Sequence, residues 1–173
     1  MIRLVDAVAD PAAARAAALD EFRSGGLVVL PTETVYGLAV LPSGPRAVDA
    51  MFRRKGRSDN RPVAVLVADV DQARTVVEPG PAFELLAAAF WPGPLTVVTT
   101  RGVGFSARLG GDQATVGVRC PDHELVRALA AEVGPLAVTS ANRSGRPTEA
   151  DARSAAEALG GDLLVLDGGP CTG

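Results

Sequence analysis

Residues 25–37 read GGLVVLPTETVYG, and the fold follows from how this stretch is parsed. Gly25 and Gly26 stop an alanine-rich helical segment, predicted over 11–24, whose Pro11 suits a first turn. Leu27 to Leu30 is a short continuous apolar run, the pattern of a strand buried on both faces. Pro31 to Gly37 is then a polar turn that sets three hydroxyls and a carboxylate directly behind that strand. Ligands in open α/β sheets gather beyond the carboxyl ends of strands, so this order predicts both an architecture and a place for chemistry.

The rest of the chain continues the pattern. A helix is predicted over Pro45 to Lys55, ended by Gly56, and a strand over Val63 to Val67. Helices over Asp69 to Val77 and Ala82 to Phe90 are divided by Pro79-Gly80-Pro81. A strand over Leu95 to Thr100 follows the turn Pro92-Gly93-Pro94, and Phe105 to Leu109 reads as a short edge strand. Thr115 to Arg119 is a strand, and Asp122 is the expected N-cap of a helix to Val133. Leu136 to Thr139 is a strand, Ser140 to Pro147 a loop, 151–159 a helix and Leu163 to Leu166 the last strand. The alternation predicts one α/β domain over 1–173.

Composition narrows the function classes. Hydrophobic residues make up 47% of the chain but aromatics only 4%, so Val, Leu and Ala must build the core, and a surface that stacks many bases is disfavoured. Cys120 and Cys171 are too few for a disulfide framework and lack metal-ligand spacing; they read as reduced thiols in the cytoplasm. The start, MIRLVDAVAD, has acids where a signal peptide needs a basic stretch, and no apolar run approaches the ~20 residues of a membrane span. A cytoplasmic protein without membrane contact is therefore expected. The net charge of −3 argues against whole-surface nucleic-acid binding. Yet Arg53, Arg54, Lys55, Arg57 and Arg61 crowd together with a single acid, Asp59.

Four stretches carry groups suited to chemistry. In Pro31–Gly37, short hydroxyls can hold a small polar substrate by donating and accepting hydrogen bonds; the alternative is a turn that satisfies its own backbone. Lys55 and Arg57 flank a helix-ending glycine, so a point charge and a planar fork can converge on one phosphate chain; the alternative is a solvated basic helix end, which Arg53 and Arg54 suit. Along Thr115–Arg119, alternation places Thr115, Gly117 and Arg119 on one face. An arginine ending an apolar strand needs an anionic partner, either a ligand carboxylate or an internal Asp or Glu. In Val138–Thr148, Ser140 and Asn142 offer a hydroxyl and an amide to phosphate oxygens or a base edge, and Gly145 allows close backbone approach; the alternative is a capped turn. There is no Walker A loop or dinucleotide fingerprint. His123 reads as a surface helix residue, and Trp91 as a core anchor.

Read in order, LPTETVYGLAV, KGRSDNRPVAVLV, WPGPLTVV, TVGVRCPDH and TSANRSGRPT, then DGGP, resemble the YrdC-like family of threonylcarbamoyl-AMP synthases from about Gly25 to Pro170. The resemblance implies a twisted open mixed sheet with flanking helices around a central, positively lined cavity, and the joining of L-threonine, bicarbonate and ATP for a tRNA modification, with Mg²⁺ carried in by the nucleotide. Carried over by position, it implies nucleotide contacts from Lys55, Arg57, Thr115, Ser140, Asn142 and Thr148, with Lys55 and Arg57 serving catalysis. It implies threonine contacts from Thr32, Tyr36, Arg119 and Val138. Where some relatives carry a threonine-touching histidine, this chain has Leu66. The family's Ser-Thr-Val-Val strand after DGGP is absent before Gly173, so the expectation is either a chain cut short there or a shortened threonine side. Implied partners are the tRNA threonylcarbamoyl-transfer enzyme, in transient contact, and double-stranded RNA or tRNA. The rival readings are a carbamoyl-adenylate-forming carbamoyltransferase-type domain and a non-catalytic double-stranded RNA-binding protein.

Overall fold

The computed structural model describes residues 1–56 and 61–171. Its strands are β1 (Ile2–Asp6), β2 (Val28–Leu30), β3 (Gly37–Val40), β4 (Ala64–Leu66), β5 (Val97–Thr100), β6 (Thr115–Arg119), β7 (Leu136–Ser140) and β8 (Leu163–Asp167). They form one mixed sheet in the order β1-β8-β2-β3-β7-β4-β6-β5. The helices are α1 (Pro11–Arg23), α2 (Pro45–Lys55), α3 (Val70–Arg74), α4 (Pro81–Phe90), α5 (Glu124–Val133) and α6 (Ala152–Leu159). β1, β8 and β2 run parallel, as do β4 and β6; β3 and β7 are antiparallel to their neighbours.

Period-two alternation divides the apolar side chains between two layers. One face presents Val28, Leu30, Ala39, Leu136, Val138 and Leu164 to α1 and α5. The other presents Val29, Leu38, Val65, Ala137, Val118 and Val165 to a core that includes residues of α2, α4 and α6. The α1/α5 cover does not extend over β6 and β5. There, on the same face as Leu66, lie Thr115, Gly117 and Arg119, and Val98 opposite Gly117 stays 68% exposed. An uncovered stretch of sheet is thus left beside the covered half.

Three expectations need correction. Phe105 to Leu109 is not a strand. The Ala107 carbonyl accepts from the Arg101 side chain, and Leu109 O accepts from Val63 N, so the segment joins no regular ladder. Asp122 is not the cap of α5: His123 holds that position, and Asp122 instead offers its carboxylate to Arg127. His123 itself is part-buried rather than a surface residue, and burial lowers its pKa. Two strands that the sequence reading leaves out, β1 and β3, complete the sheet.

Candidate functional site

The first cluster is built by α2. Its buried stripe is Ala47, Val48, Met51 and Phe52, and Lys55 falls four residues beyond Met51 and three beyond Phe52, on the same side of the helix. The lysine is therefore carried inward and is only 2% exposed. Its ammonium donates to Ser140 O and, at 3.0 Å, to Asn142 Oδ1. Ser140 Oγ donates to the same Asn142 oxygen at 2.6 Å. Gly56 ends α2 in the left-handed conformation (φ 61°), and Ser144 N caps Lys55 O at 3.0 Å. Both ends of the lysine are thus stitched to the loop after β7. Arg54 has a different task, binding the carbonyls of Gly160 and Asp162 behind α6.

The second cluster closes around Arg119 at the end of β6. Its Nη2 meets Glu33 Oε1 at 2.7 Å, its Nε donates to Gly93 O at 3.1 Å, and Nη1 and Nη2 both reach Thr34 Oγ1, at 3.3 and 3.2 Å. Glu33 Oε1 also accepts from Asp122 N at 3.1 Å. Burial alone would raise the Glu33 carboxyl. The Arg119 and backbone hydrogen bonds, with the Arg119 charge, outweigh it and hold the group below its usual range. Thr32 Oγ1 donates to Val35 O at 2.6 Å and stands 3.0 Å from Thr34 Oγ1.

Sheet register sets the spacing between the clusters. Val65 pairs with Val118 and Ala64 with Val138, so Gly117, Ala64 and Val138 form one row across β6, β4 and β7. Thr115 lies two residues to the Ser140 side of that row and Arg119 two residues to the other. Thr115 and Ser140 are two strands apart, about 10 Å, and Thr115 is about 13 Å along β6 from Arg119. Between the clusters is a cavity of 220 Å³ whose lining includes Thr32, Leu66, Arg119, Val138 and Ser140. Gly117 keeps the neighbouring floor low, since a Cβ there would come within 3.2 Å of Thr96 Cγ2.

Residues 20–173 match the family model Sua5_yciO_yrdC, described as telomere recombination. The chain belongs to the Sua5/YciO/YrdC family. It is 39% identical over 165 residues to the threonylcarbamoyl-AMP synthase of Bacillus subtilis, covering 93% of this chain and 47% of that one. It is 39% identical over 158 residues to the threonylcarbamoyl-AMP synthase of Bos taurus, covering 89% and 56%. Pyrococcus abyssi Sua5, solved in complex with L-threonine, superposes with a TM-score of 0.85 at 35% identity, covering 98% of this chain and 51% of that one. The chain spans about half the length of these relatives.

Within this Sua5/YciO/YrdC domain, the residues expected from sequence fall into three groups. Lys55, Ser140 and Asn142 meet at one point, and Thr32, Val138 and Arg119 line one cavity, with Leu66 beside them. Thr115 is exposed on the open face; Thr148 is exposed in the loop before α6 and is not part of the cavity lining. Tyr36 departs from the expectation of a threonine contact. It is 1% exposed, its hydroxyl donates to Gly169 O at 2.6 Å and accepts from Gly168 N at 3.1 Å, and it straps the C-terminal segment to the sheet. Burial, together with the nearby Asp167 carboxylate, pushes its pKa up to about 12. Arg57 lies outside the described residues. Sequence reasoning passed over Glu33 and Thr34 as site residues. The available signal was their place between Thr32 and Tyr36 in a loop already rich in polar groups. Among the described residues, no group of three or more His, Cys, Asp or Glu side chains is arranged to hold a metal, and no helix is long and apolar enough to cross a membrane.

Proposed function

We propose that this chain is an L-threonylcarbamoyladenylate synthase, a nucleotidyltransferase acting in the cytoplasm for threonylcarbamoyl-adenosine modification of tRNA. The observation that carries the reading is the pairing of two distant clusters across one open sheet face: Lys55 with Ser140 and Asn142 at one end, Arg119 with the Thr32–Thr34 loop at the other. A cation gathered with hydroxyl and amide groups suits a triphosphate; an arginine fork beside small hydroxyls suits an amino-acid carboxylate. The synthases named among the relatives, and the L-threonine bound by the Pyrococcus protein, support the same assignment.

The chemistry needs positioning more than a base. The threonine amine adds to bicarbonate with loss of water, giving N-carboxy-threonine. A carboxylate oxygen of that carbamate then attacks the α-phosphorus of ATP, and the bond to the bridging oxygen breaks as pyrophosphate leaves. Lys55, joined by Arg57, offsets phosphate charge, and Ser140 and Asn142 fix the lysine and meet phosphate oxygens. Thr115 and Thr148 complete the nucleotide side, Thr32 and Val138 shape the threonine side, and Arg119 anchors the threonine carboxylate. Mg²⁺ arrives with the nucleotide. Exclusion of water protects the carbamate and the anhydride, both of which hydrolyse.

The test is pyrophosphate release from ATP that requires both L-threonine and bicarbonate. Release that ignores threonine removes the substrate assignment. Release supported by carbamoyl phosphate instead supports the carbamoyltransferase-type domain. RNA affinity that falls steeply with salt, without ATP binding, would identify an RNA-binding protein.

A further inference from the structure

An arginine guanidinium offers five N–H groups in a fixed plane, so whatever holds some of them decides where the others point. In Arg119, Nε is taken by Gly93 O and Nη2 by Glu33 Oε1. Among the described residues, the end of the fork, where a carboxylate would bind through two oxygens, faces only Thr34 Oγ1. The direction of that contact is settled by its neighbours. Thr32 Oγ1 gives its proton to Val35 O, so between Thr32 and Thr34 it is Thr34 that donates, and the Thr34 oxygen accepts from Arg119. One neutral oxygen thus stands where two charged ones would fit. Glu33 is also anchored from a second element, through Asp122 N in the connection between β6 and α5.

We propose that Glu33 is a positioning residue for substrate binding. It clamps Arg119 from one side, so that the end of the fork, held meanwhile by the Thr34 hydroxyl, is aimed at the incoming carboxylate. This inference rests on the threonine reading above and adds to it a residue that acts only through Arg119. The opposite role on the same contacts would be a carboxylate that competes with substrate for the arginine. The two predict opposite signs.

The experiment uses the full chain and compares wild type, Glu33→Ala and Glu33→Gln. L-threonine binding is measured by calorimetry, and KM and kcat by pyrophosphate release with each substrate varied. Glu33→Ala is expected to weaken threonine binding and raise the threonine KM roughly ten- to a hundredfold, with the ATP KM unchanged. Glu33→Gln keeps an acceptor for Nη2 and for Asp122 N and should recover most of the loss. Threonine binding that is unchanged or tighter in Glu33→Ala overturns the inference. So does an ATP KM that rises in step, or a glutamine variant no better than alanine. A wild-type chain that binds ATP but not L-threonine overturns the functional reading and this inference with it, whereas normal wild-type binding with an indifferent Glu33→Ala overturns the inference alone. If Glu33→Ala does not fold, Glu33→Asp, which keeps the charge but withdraws it by one methylene, is expected to move threonine KM in the same direction.

Discussion

The two ends of the site are built on different principles. At the Lys55 end the side chain is nearly sealed from solvent, and the lysine contributes its own backbone carbonyl as well as its ammonium to the loop after β7. At the Arg119 end the cation borders an open cavity, and one of its contacts is a hydroxyl that a ligand could replace. The first is part of the framework, and a fault there damages both fold and chemistry. The second is an adjustable contact, and a fault there shows in the demand for one substrate. The difference is measurable.

Lys55→Ala should have the largest effect. Pyrophosphate release is expected to slow by at least ~100-fold. Unfolding should also cost about 1–3 kcal/mol less, because Asn142 Oδ1 and Ser140 O lose a charged donor in a buried place. Chemical denaturation and steady-state rates read both; an active Lys55→Ala protein would break the contrast. Arg119→Ala should raise the threonine KM roughly ten- to a hundredfold and leave the melting point and the ATP KM near wild type. Asn142→Ala removes one acceptor shared by Lys55 and Ser140, for a loss of about 1 kcal/mol in stability and roughly tenfold in rate.

Tyr36→Phe sharpens the comparison from outside it. Stability should fall by about 1 kcal/mol and amide exchange at Gly168 should quicken, while threonine KM stays put. The same residue gives a pH signature. Its phenol is neutral in the fold up to about pH 12, above the ordinary value of 10, so its contribution to stability is complete below pH 10 and disappears as pH rises through 12. Tyr36 is the chain's single tyrosine, so tyrosinate absorbance against pH reports this group alone.

Much of the framework was legible because local chemistry and tertiary context agree. Pro45 to Gly56 is the clearest case: a proline start, an apolar stripe and a left-handed glycine stop make α2 end where sequence places it. The inward turn of Lys55 was readable from the same stripe. β3 was hidden because Gly37–Val40 begins at once after a polar loop, with no alternation to mark it; all four residues are buried by pairing with β2 and β7. β1 was hidden for the reverse reason, as a mostly exposed edge strand that pairs with β8 alone. The partner of Arg119 could not be read at all. Both a ligand carboxylate and an internal acid suit an arginine ending a strand, and no local periodicity connects it to Glu33.

The acceptors described for the Lys55 ammonium stand 85 and 87 positions later in the chain. A ribosome that has released α2 has therefore made the lysine but neither Ser140 nor Asn142, and the helix waits with its buried stripe unmatched. If, as proposed, this centre holds ATP, the nucleotide cannot steady the nascent protein through it during that interval. Any help from nucleotide comes only after β7 and its loop have emerged, when most of the sheet is already in hand.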